Sequence, residues 1–352
     1  MRVLNVMMGK RRGGLEHAAI DLHEELTLAG CEVVSLVRPT AAVRPLFPES
    51  ARVVTFRDLG AWDFTGPARV RARLAGEAFD VIVAHGNRAV RVAGALRRRT
   101  PVIAICHTTN FSILKRLGSI DGAIALTDAY REVLLRAGYP AARIRRVPNA
   151  VRLGEEPEAV PPRDTPLIGA LGRLAPNKGF DVLLAAAALL KQRGVSFRIV
   201  IHGADASGGA SAEEARRDAL GLSRAEFDFA GWTDAPEGFL RSLDVFCLPS
   251  RREVFSIALL QALAAGRPIV ATRIPGVDEA ISDGVEGVVV ASEDPVALAD
   301  ALERLIRDPE LRRRMGAAAR RRAARFDLPA VGKELRRALA ELAEQPTLSA
   351  SS

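Results

Sequence analysis

The stretch PLIGALGRLAPNKGFDVLLAAAALLKQR, residues 166–193, decides the fold class. Residues 166–171 are a short apolar run of the kind buried in a parallel strand. Residues 172–179 carry Gly172, Pro176 and Gly179 and turn the chain, and residues 179–193 continue with apolar side chains at helical spacing. Strand, glycine-bearing loop and helix in that order are the repeating half of a β-α-β unit.

The same order recurs on both sides of this stretch. Ahead of it, strands are expected at residues 2–8, 31–37, 53–55, 79–84, 102–106 and 120–126, with helices at 15–29 and 128–137. Beyond it, strands are expected at 197–202, 226–230, 245–248, 268–271 and 287–290, and helices at 256–265, 295–307 and 310–325. Residues 151–166, VRLGEEPEAVPPRDTP, are acidic and proline-rich without apolar period, which marks a linker. The expectation is an α/β protein of two doubly wound parallel-sheet domains, joined near residue 155 and facing a cleft. The domains would span residues 1–155 and 156–327. Residues 328–352 would hold a last helix, within 328–342, that returns to the first domain, and a flexible tail. Ligands of such sheets bind at strand carboxyl ends.

The composition agrees. At about 150 residues per domain, 352 residues make two domains. A chain with 48% hydrophobic and 26% charged residues has ample core and is not disordered. Cys31, Cys106 and Cys247 are scattered, odd in number and without a C-x-x-C, so a disulfide framework is not expected and a reducing compartment is. No apolar run approaches the ~18 residues of a membrane span. The opening MRVLNVMMGKRRGG places its positive cluster after its apolar stretch, the reverse of a secretion signal. A cytoplasmic protein is expected. The formal charge of +8 favours an anionic partner. Only five of the 50 basic residues are lysines, however, so the arginine bias reflects general composition as much as binding.

Three loops follow expected strands and precede helices: residues 9–14, 172–179 and 249–256. In each, free helix N–H groups and the positive helix end can face an anion. None matches G-x-x-x-x-G-K-[ST] or G-x-G-x-x-G, which argues against a P-loop kinase or an ordinary dinucleotide enzyme. The second loop adds Arg173 and Lys178, a bidentate and a compact cation able to neutralise a diphosphate. The third places Glu253 just ahead of a helix start at Ser256, where a carboxylate stays ionised and accepts hydroxyl hydrogen bonds. No His-x-His, His-Glu-x-x-His or D-x-D triplet suggests a metal site, and no nucleophile elbow or reactive-cysteine context occurs. His85 and His107 each close a strand on the ligand side, so that one of them can bond a ligand.

These segments resemble the retaining glycosyltransferases of family 4, which have the GT-B fold. Gly13-Gly14-Leu15-Glu16 is similar to that family's amino-terminal glycine loop. Val147-Pro148-Asn149-Ala150-Val151 resembles its interdomain turn, with alanine in place of glycine. Gly172-Arg173-Leu174 through Asn177-Lys178-Gly179 is similar to its phosphate-binding segment, and Phe229-Ala230-Gly231-Trp232 to its base-binding strand end. The most specific likeness is Glu253-Val254-Phe255-Ser256-Ile257 through Ala264-Ala265-Gly266-Arg267-Pro268-Ile269-Val270-Ala271-Thr272.

The resemblance implies transfer of a hexose-type sugar from a nucleoside-diphosphate-sugar, UDP- or GDP-linked, with retention and without metal or cofactor. The amino-terminal domain would bind the acceptor and the carboxy-terminal domain the donor. Arg173 and Lys178 would stabilise the departing diphosphate. Glu253, with the backbone of Val254, Phe255, Ser256 and Ile257, would hold the sugar and diphosphate, alongside Gly203. Trp232 would meet the base, Gly14 the phosphate or acceptor, and His107 the donor sugar. Domain closure about residues 151–166 would complete the site.

The family typically has a second glutamate eight positions after the first; here the pair is Glu253 and Gln261. Gln261 can accept from a ribose hydroxyl but lacks the charge-assisted part, a cost of about 1 kcal/mol in donor binding. The acceptor is expected to be a glycan or glycolipid, as in cell-surface polysaccharide or lipopolysaccharide synthesis. Basic clusters at residues 69–73, 97–99 and 143–146 suggest peripheral contact with an anionic membrane or glycan. A nucleotide-sugar epimerase and a non-catalytic nucleotide-sugar or glycan binder are the competing classes. A nucleic-acid protein is disfavoured by the 5% aromatic content and the lack of a recognition motif.

Overall fold

The computed structural model describes residues 1–10, 13–59, 65–97, 100–107, 112–157, 163–205 and 210–346. Residues 11–12 of the first loop, 98–99 of one basic cluster, 158–162 of the expected linker and the tail 347–352 lie outside them. The chain divides into two units, Met1–Ala150 with Phe326–Ser352, and Val151–Arg325.

In the first unit, β1 (Arg2–Met7), α1 (Gly14–Leu28), β2 (Glu32–Val37), β3 (Arg52–Thr55), α2 (Gly66–Arg73), β4 (Val81–His85), α3 (Gly86–Gly94), β5 (Val102–Cys106), β6 (Gly122–Ala125), α4 (Asp128–Arg136) and β7 (Ile144–Arg146) follow one another. The strands form one parallel sheet in the order β3-β2-β1-β4-β5-β6-β7. β4, β5 and β6 are buried along their whole length, which is why their sequences VIVAH, VIAIC and GAIA lack polar alternation. The order reverses between β1 and β4, so the crevice at their carboxyl ends is where a doubly wound sheet takes ligands.

The second unit repeats the plan with β8 (Leu167–Leu171), α5 (Phe180–Gln192), β9 (Arg198–His202), α6 (Ala210–Ala219), β10 (Phe227–Gly231), α7 (Pro236–Ser242), β11 (Val245–Leu248), α8 (Ile257–Ala264), β12 (Ile269–Thr272), α9 (Pro275–Ala280), β13 (Gly287–Val290), α10 (Pro295–Arg307) and α11 (Pro309–Ala323). Its parallel order is β10-β9-β8-β11-β12-β13, with the reversal between β8 and β11. Asp294 and Asp308 start α10 and α11 by accepting backbone N–H bonds, each followed by proline in the first turn. Chain from Gly154 to Glu156 is held on this unit, since Arg320 donates to the Gly154 carbonyl at 2.6 Å and pairs with Glu156.

The last helix, α12 (Leu328–Ala343), belongs to the first unit. It buries Val331, Leu335, Ala338, Leu339 and Leu342, and packs on α1. The approach is close: a Cβ on Gly332 would lie 2.2 Å from the carbonyl oxygen of Glu25. Burial of a Leu or Val side chain contributes about 1.5–3 kcal/mol, so this face suffices to dock the helix.

α2, α3, α6, α7, α9 and β7 were not expected from the sequence. α2 is rich in arginine and buries only Gly66 and Val70. α3 starts directly after β4, turned by Gly86 at φ 77°. In β7 only Ile144 is buried, so the strand reads as part of a basic cluster. That cluster bonds within its own unit: Arg143 donates to the carbonyls of Asp121 and Pro346, and Arg145 pairs with Glu341 of α12 at 2.7 Å. Arg97 similarly pairs with Asp121.

Candidate active site

The loops after β8 and β11 flank the reversal of the second sheet. Gly172 donates its N–H to the His202 carbonyl, and Gly203 donates to that of Gly231. A Cβ on Gly203 would lie 1.7 Å from the Gly172 oxygen, so only glycine lets these strand ends close up. Past exposed Arg173 the chain makes a single tight turn at Pro176–Lys178. Gly179 follows at φ 66°, where a Cβ would meet the Pro249 oxygen at 1.9 Å. The two loops therefore touch backbone to backbone.

That contact brings Lys178 and Glu253 together. Lys178 Nζ lies 2.5 Å from Glu253 Oε1, and Ser250 Oγ donates to the same oxygen at 3.0 Å. Both charged side chains are about 15% exposed. Both bonds are made to Oε1 of Glu253 and neither to Oε2. Val254, Phe255 and Ser256 are buried behind it. Ser256 caps α8 by accepting from the Leu259 N–H, and a Cβ on Gly276 would lie 2.2 Å from the Val254 oxygen. Ile257 opens α8, and Gln261 lies half-buried one turn further along it.

Arg251, passed over in the sequence, fastens the two loops. Its guanidinium forms a bidentate pair with Asp181 at 2.8 and 2.7 Å, and it also donates to the Pro176 carbonyl and to Glu293. Its backbone N–H donates to the Asn177 carbonyl at 2.9 Å. The guanidinium holds the Asp181 carboxyl below the usual range, and Asp181 raises Arg251 in turn. Glu293 sits at φ 62°, an uncommon conformation for a residue with a Cβ. Trp232 follows Gly231 at the β10 end; it is 43% exposed, and its indole N–H bonds Asp234.

In the first unit, a polar chain crosses the sheet beneath α1. His107 Nε2 lies 2.9 Å from His85 Nδ1, and His85 Nε2 lies 2.9 Å from Asn5 Oδ1. Asn5 Nδ2 donates to the Ala19 carbonyl at 2.8 Å and to Ser35 Oγ at 3.1 Å, and Ser35 Oγ meets His23 Nδ1 at 2.9 Å. Burial pushes the His107 pKa down to about 4. Burial, with the neighbouring ring, also puts His85 well below its ordinary value. Gly14 opens α1 and is exposed. Glu16 lies against Gly9 and Gly13 ahead of it: a Cβ on Gly9 would strike its carboxylate at 2.1 Å, and one on Gly13 at 2.9 Å.

The proposed site residues therefore fall into two groups. Arg173, Lys178, Gly203, Trp232, Glu253 to Ile257 and Gln261 lie on the second unit's strand ends and α8, while Gly14 and His107 lie on the first unit. Among the described residues no cluster of three or more His, Cys, Asp or Glu side chains is placed to hold a metal ion. Nor is any helix long and apolar enough to cross a membrane.

Comparison with known proteins agrees with this architecture. Residues 12–155 match the model of Glycosyltransferase Family 4, and residues 155–322 that of Glycosyl transferases group 1. The chain is 32% identical to a phosphatidyl-myo-inositol mannosyltransferase of Mycobacterium leprae, covering 77% of this chain and 75% of that protein. It is 29% identical to a D-inositol 3-phosphate glycosyltransferase of Frankia alni, covering 91% and 92%. It is 27% identical to the lipopolysaccharide core biosynthesis glycosyltransferase LpsE of Rhizobium meliloti, covering 90% and 92%. Among solved structures, HepE of Anabaena in complex with UDP and glucose superposes with a TM-score of 0.80 at 20% identity, over 97% of this chain and 99% of that one. Both halves of the chain and its two parallel sheets thus lead to one assignment: it belongs to glycosyltransferase family 4 and has the GT-B fold.

Proposed function

We propose that the chain transfers a hexose-type sugar, with retention, from a UDP- or GDP-sugar to a hydroxyl of a glycan or glycolipid. The observation that carries this reading is the Lys178–Glu253 contact at the reversal between β8 and β11. It sets a cation for a diphosphate beside a carboxylate oxygen for sugar hydroxyls. Arg173 and Lys178 neutralise the leaving diphosphate, the role a metal ion plays elsewhere, and no resident metal or cofactor is required. Glu253 Oε2 and the α8 start orient the sugar, Gln261 meets the ribose and Trp232 the base. Gly203 lets the strand ends close beneath them. His107 faces the sugar, and Gly14 the phosphate or acceptor.

In this reading the glycosidic C–O bond to the diphosphate breaks as the acceptor oxygen bonds the same face of the anomeric carbon. The departing phosphate oxygen takes the acceptor proton, so no side-chain nucleophile is needed. The UDP and glucose bound by HepE support a nucleotide-sugar donor. LpsE, named for lipopolysaccharide core biosynthesis, and the phosphatidyl-myo-inositol mannosyltransferase support a glycan or glycolipid acceptor. In this reading the transfer is cytoplasmic, with peripheral contact at the inner membrane face. Arg71 and Arg73 of α2 remain exposed for such contact, although each also donates to a backbone carbonyl.

The test is a thermal-shift titration with UDP-, GDP- and ADP-sugars in EDTA. Saturation at about a hundred times Kd adds about 2.7 kcal/mol to stability. A rise in Tm with one nucleotide class, lost in Lys178→Ala, is expected. A rise that survives Lys178→Ala, or no rise at all, removes the donor site. Release of free nucleoside diphosphate only with an acceptor present separates transfer from mere binding.

A further inference from the structure

The polar chain beneath α1 fixes more than the position of His107. The Ala19 carbonyl can only accept, so the group of Asn5 lying 2.8 Å from it is the amide nitrogen. Ser35 Oγ takes the second amide hydrogen at 3.1 Å, and the Ser35 hydroxyl hydrogen is then turned to His23 Nδ1. Asn5 Oδ1 therefore faces His85 and is purely an acceptor, which places a hydrogen on His85 Nε2.

His85 is 3% exposed, and its ring partners are the neutral Asn5 amide and His107, a ring that burial keeps uncharged at pH 7. A second ring proton would create a buried cation whose ring contacts among the described residues carry no negative charge. His85 Nδ1 is thus a lone pair, and the 2.9 Å contact with His107 must carry its hydrogen on His107 Nε2. The two rings lie within 15° of parallel. The hydrogen bonds fix the chain from a backbone carbonyl of α1 to His85 Nε2, and the burial of His85 fixes the rest.

We infer that Asn5 and His85 are positioning residues that hold His107 with its proton on Nε2, so that Nδ1 is an acceptor and the sugar hydroxyl it meets must be the donor. The part concerning sugar rests on the proposed placement of His107 beside the donor; the tautomer does not. A fixed acceptor discriminates by chemistry: a hydroxyl can turn its hydrogen to Nδ1, whereas an ether or fluorine at the same carbon cannot. The selectivity follows from the unpaired lone pair that such an analogue would leave.

Long-range proton–nitrogen NMR of the 15N-labelled full chain reads this directly, since the chain has only five histidines. Single His→Gln variants assign them. At pH 7 His107 and His85 are expected to show protonated Nε2 and bare Nδ1. His85→Gln, whose amide can donate to Asn5 and accept from His107, is expected to keep the His107 tautomer, and His85→Leu to release it into an averaged mixture. A proton on His107 Nδ1 in the wild-type chain overturns the inference, even if His85→Leu fails to fold. So does a tautomer unchanged by His85→Leu in a folded protein.

UDP-glucose and GDP-mannose then serve as probes, with UDP and GDP as controls. Movement of the His107 Nδ1 resonance by a sugar nucleotide, but not by its nucleotide alone, is the expected result. No movement with a sugar nucleotide that raises Tm overturns the sugar contact while leaving the tautomer established.

Discussion

Lys178 and Glu253 are 75 residues apart in the chain, yet their side chains meet at 2.5 Å because Gly179 lets one loop touch the carbonyl of Pro249 in the other. The contact lies at the one place in the second sheet where the strand order turns back on itself. A cation and a carboxylate are held there before any ligand arrives, so no side-chain ordering is left for the binding step.

Lys178→Ala and Glu253→Ala should each lower kcat/KM by at least about a hundredfold, the scale of losing one preorganised electrostatic group. The pair is mostly buried, so each single change leaves an unpaired charge. Ser250 still serves Glu253 in the first case, which limits the loss of Tm to a few degrees. The double variant should be little worse than either single one, because the two act as a unit. Near-normal turnover in a folded single variant would remove that residue from the site.

Arg251 should behave as a fastener. Arg251→Lys keeps the charge but cannot reproduce the fork to Asp181 together with the bonds to Pro176 and Glu293. A loss of about 1–2 kcal/mol in stability is expected on the scale of charge-assisted bonds. The misplaced Lys178 should weaken donor binding as well. Unfolding curves and donor titrations on the same protein check both. An unchanged donor affinity in a destabilised variant would confine Arg251 to folding.

The contrast between Glu253 and Arg251 shows what was legible in the sequence. Residues 166–193 and 245–257 each show strand, turn and helix within one short window, so apolar run, glycine and cap residue suffice to place Lys178 and Glu253 at strand ends. Arg251 bonds Asp181, 70 residues earlier, and Glu293, 42 later, and nothing local marks it. The chain from Asn5 to His107 is similar. Its residues share one face because Asn5 is in register with Ser35 and with Val83, two before His85, while His85 is in register with Ile105, two before His107. One signal was available: Asn5 and Ser35 interrupt the apolar runs 3–7 and 33–37, His85 ends the apolar run of β4, and buried polar groups must be hydrogen-bonded. Their register is set by sheet order, which the sequence does not display. α2, whose arginines hide any apolar period, was illegible for a different reason.

Acid should destabilise the first unit through its histidines. An unfolded His107 takes a proton near pH 6.5, whereas the folded one refuses it until about pH 4. Across that window the unfolded state binds more protons, so stability falls as pH falls, by at most about 3 kcal/mol from this group. His85 and His23, also lowered by burial, act in the same sense. Buried Glu25, whose pKa is raised, acts oppositely, because its contribution is lost as pH rises through the folded value. Comparison with His107→Gln isolates the one group: its stability should decline less steeply between pH 6.5 and 4. Equal slopes would mean that His107 titrates normally in the folded chain.

Gln261 is one position where this chain departs from the pattern it resembles, and one substitution tests what that means. It lies half-buried on α8, whose start is held by Ser256 and whose preceding loop carries Glu253. Gln261→Glu restores a charged acceptor for a ribose hydroxyl without changing side-chain length. A charge-assisted bond in place of a neutral one is worth about 1 kcal/mol, or roughly a fivefold tighter donor Kd. kcat should change little, because the ribose is bound alike before and during transfer. Calorimetric titration with the nucleotide class found by thermal shift, alongside turnover, separates the two quantities. Tighter binding with unchanged kcat would place Gln261 on the ribose, whereas a folded but inactive variant would mean that a neutral side chain is required there and that the ribose lies elsewhere.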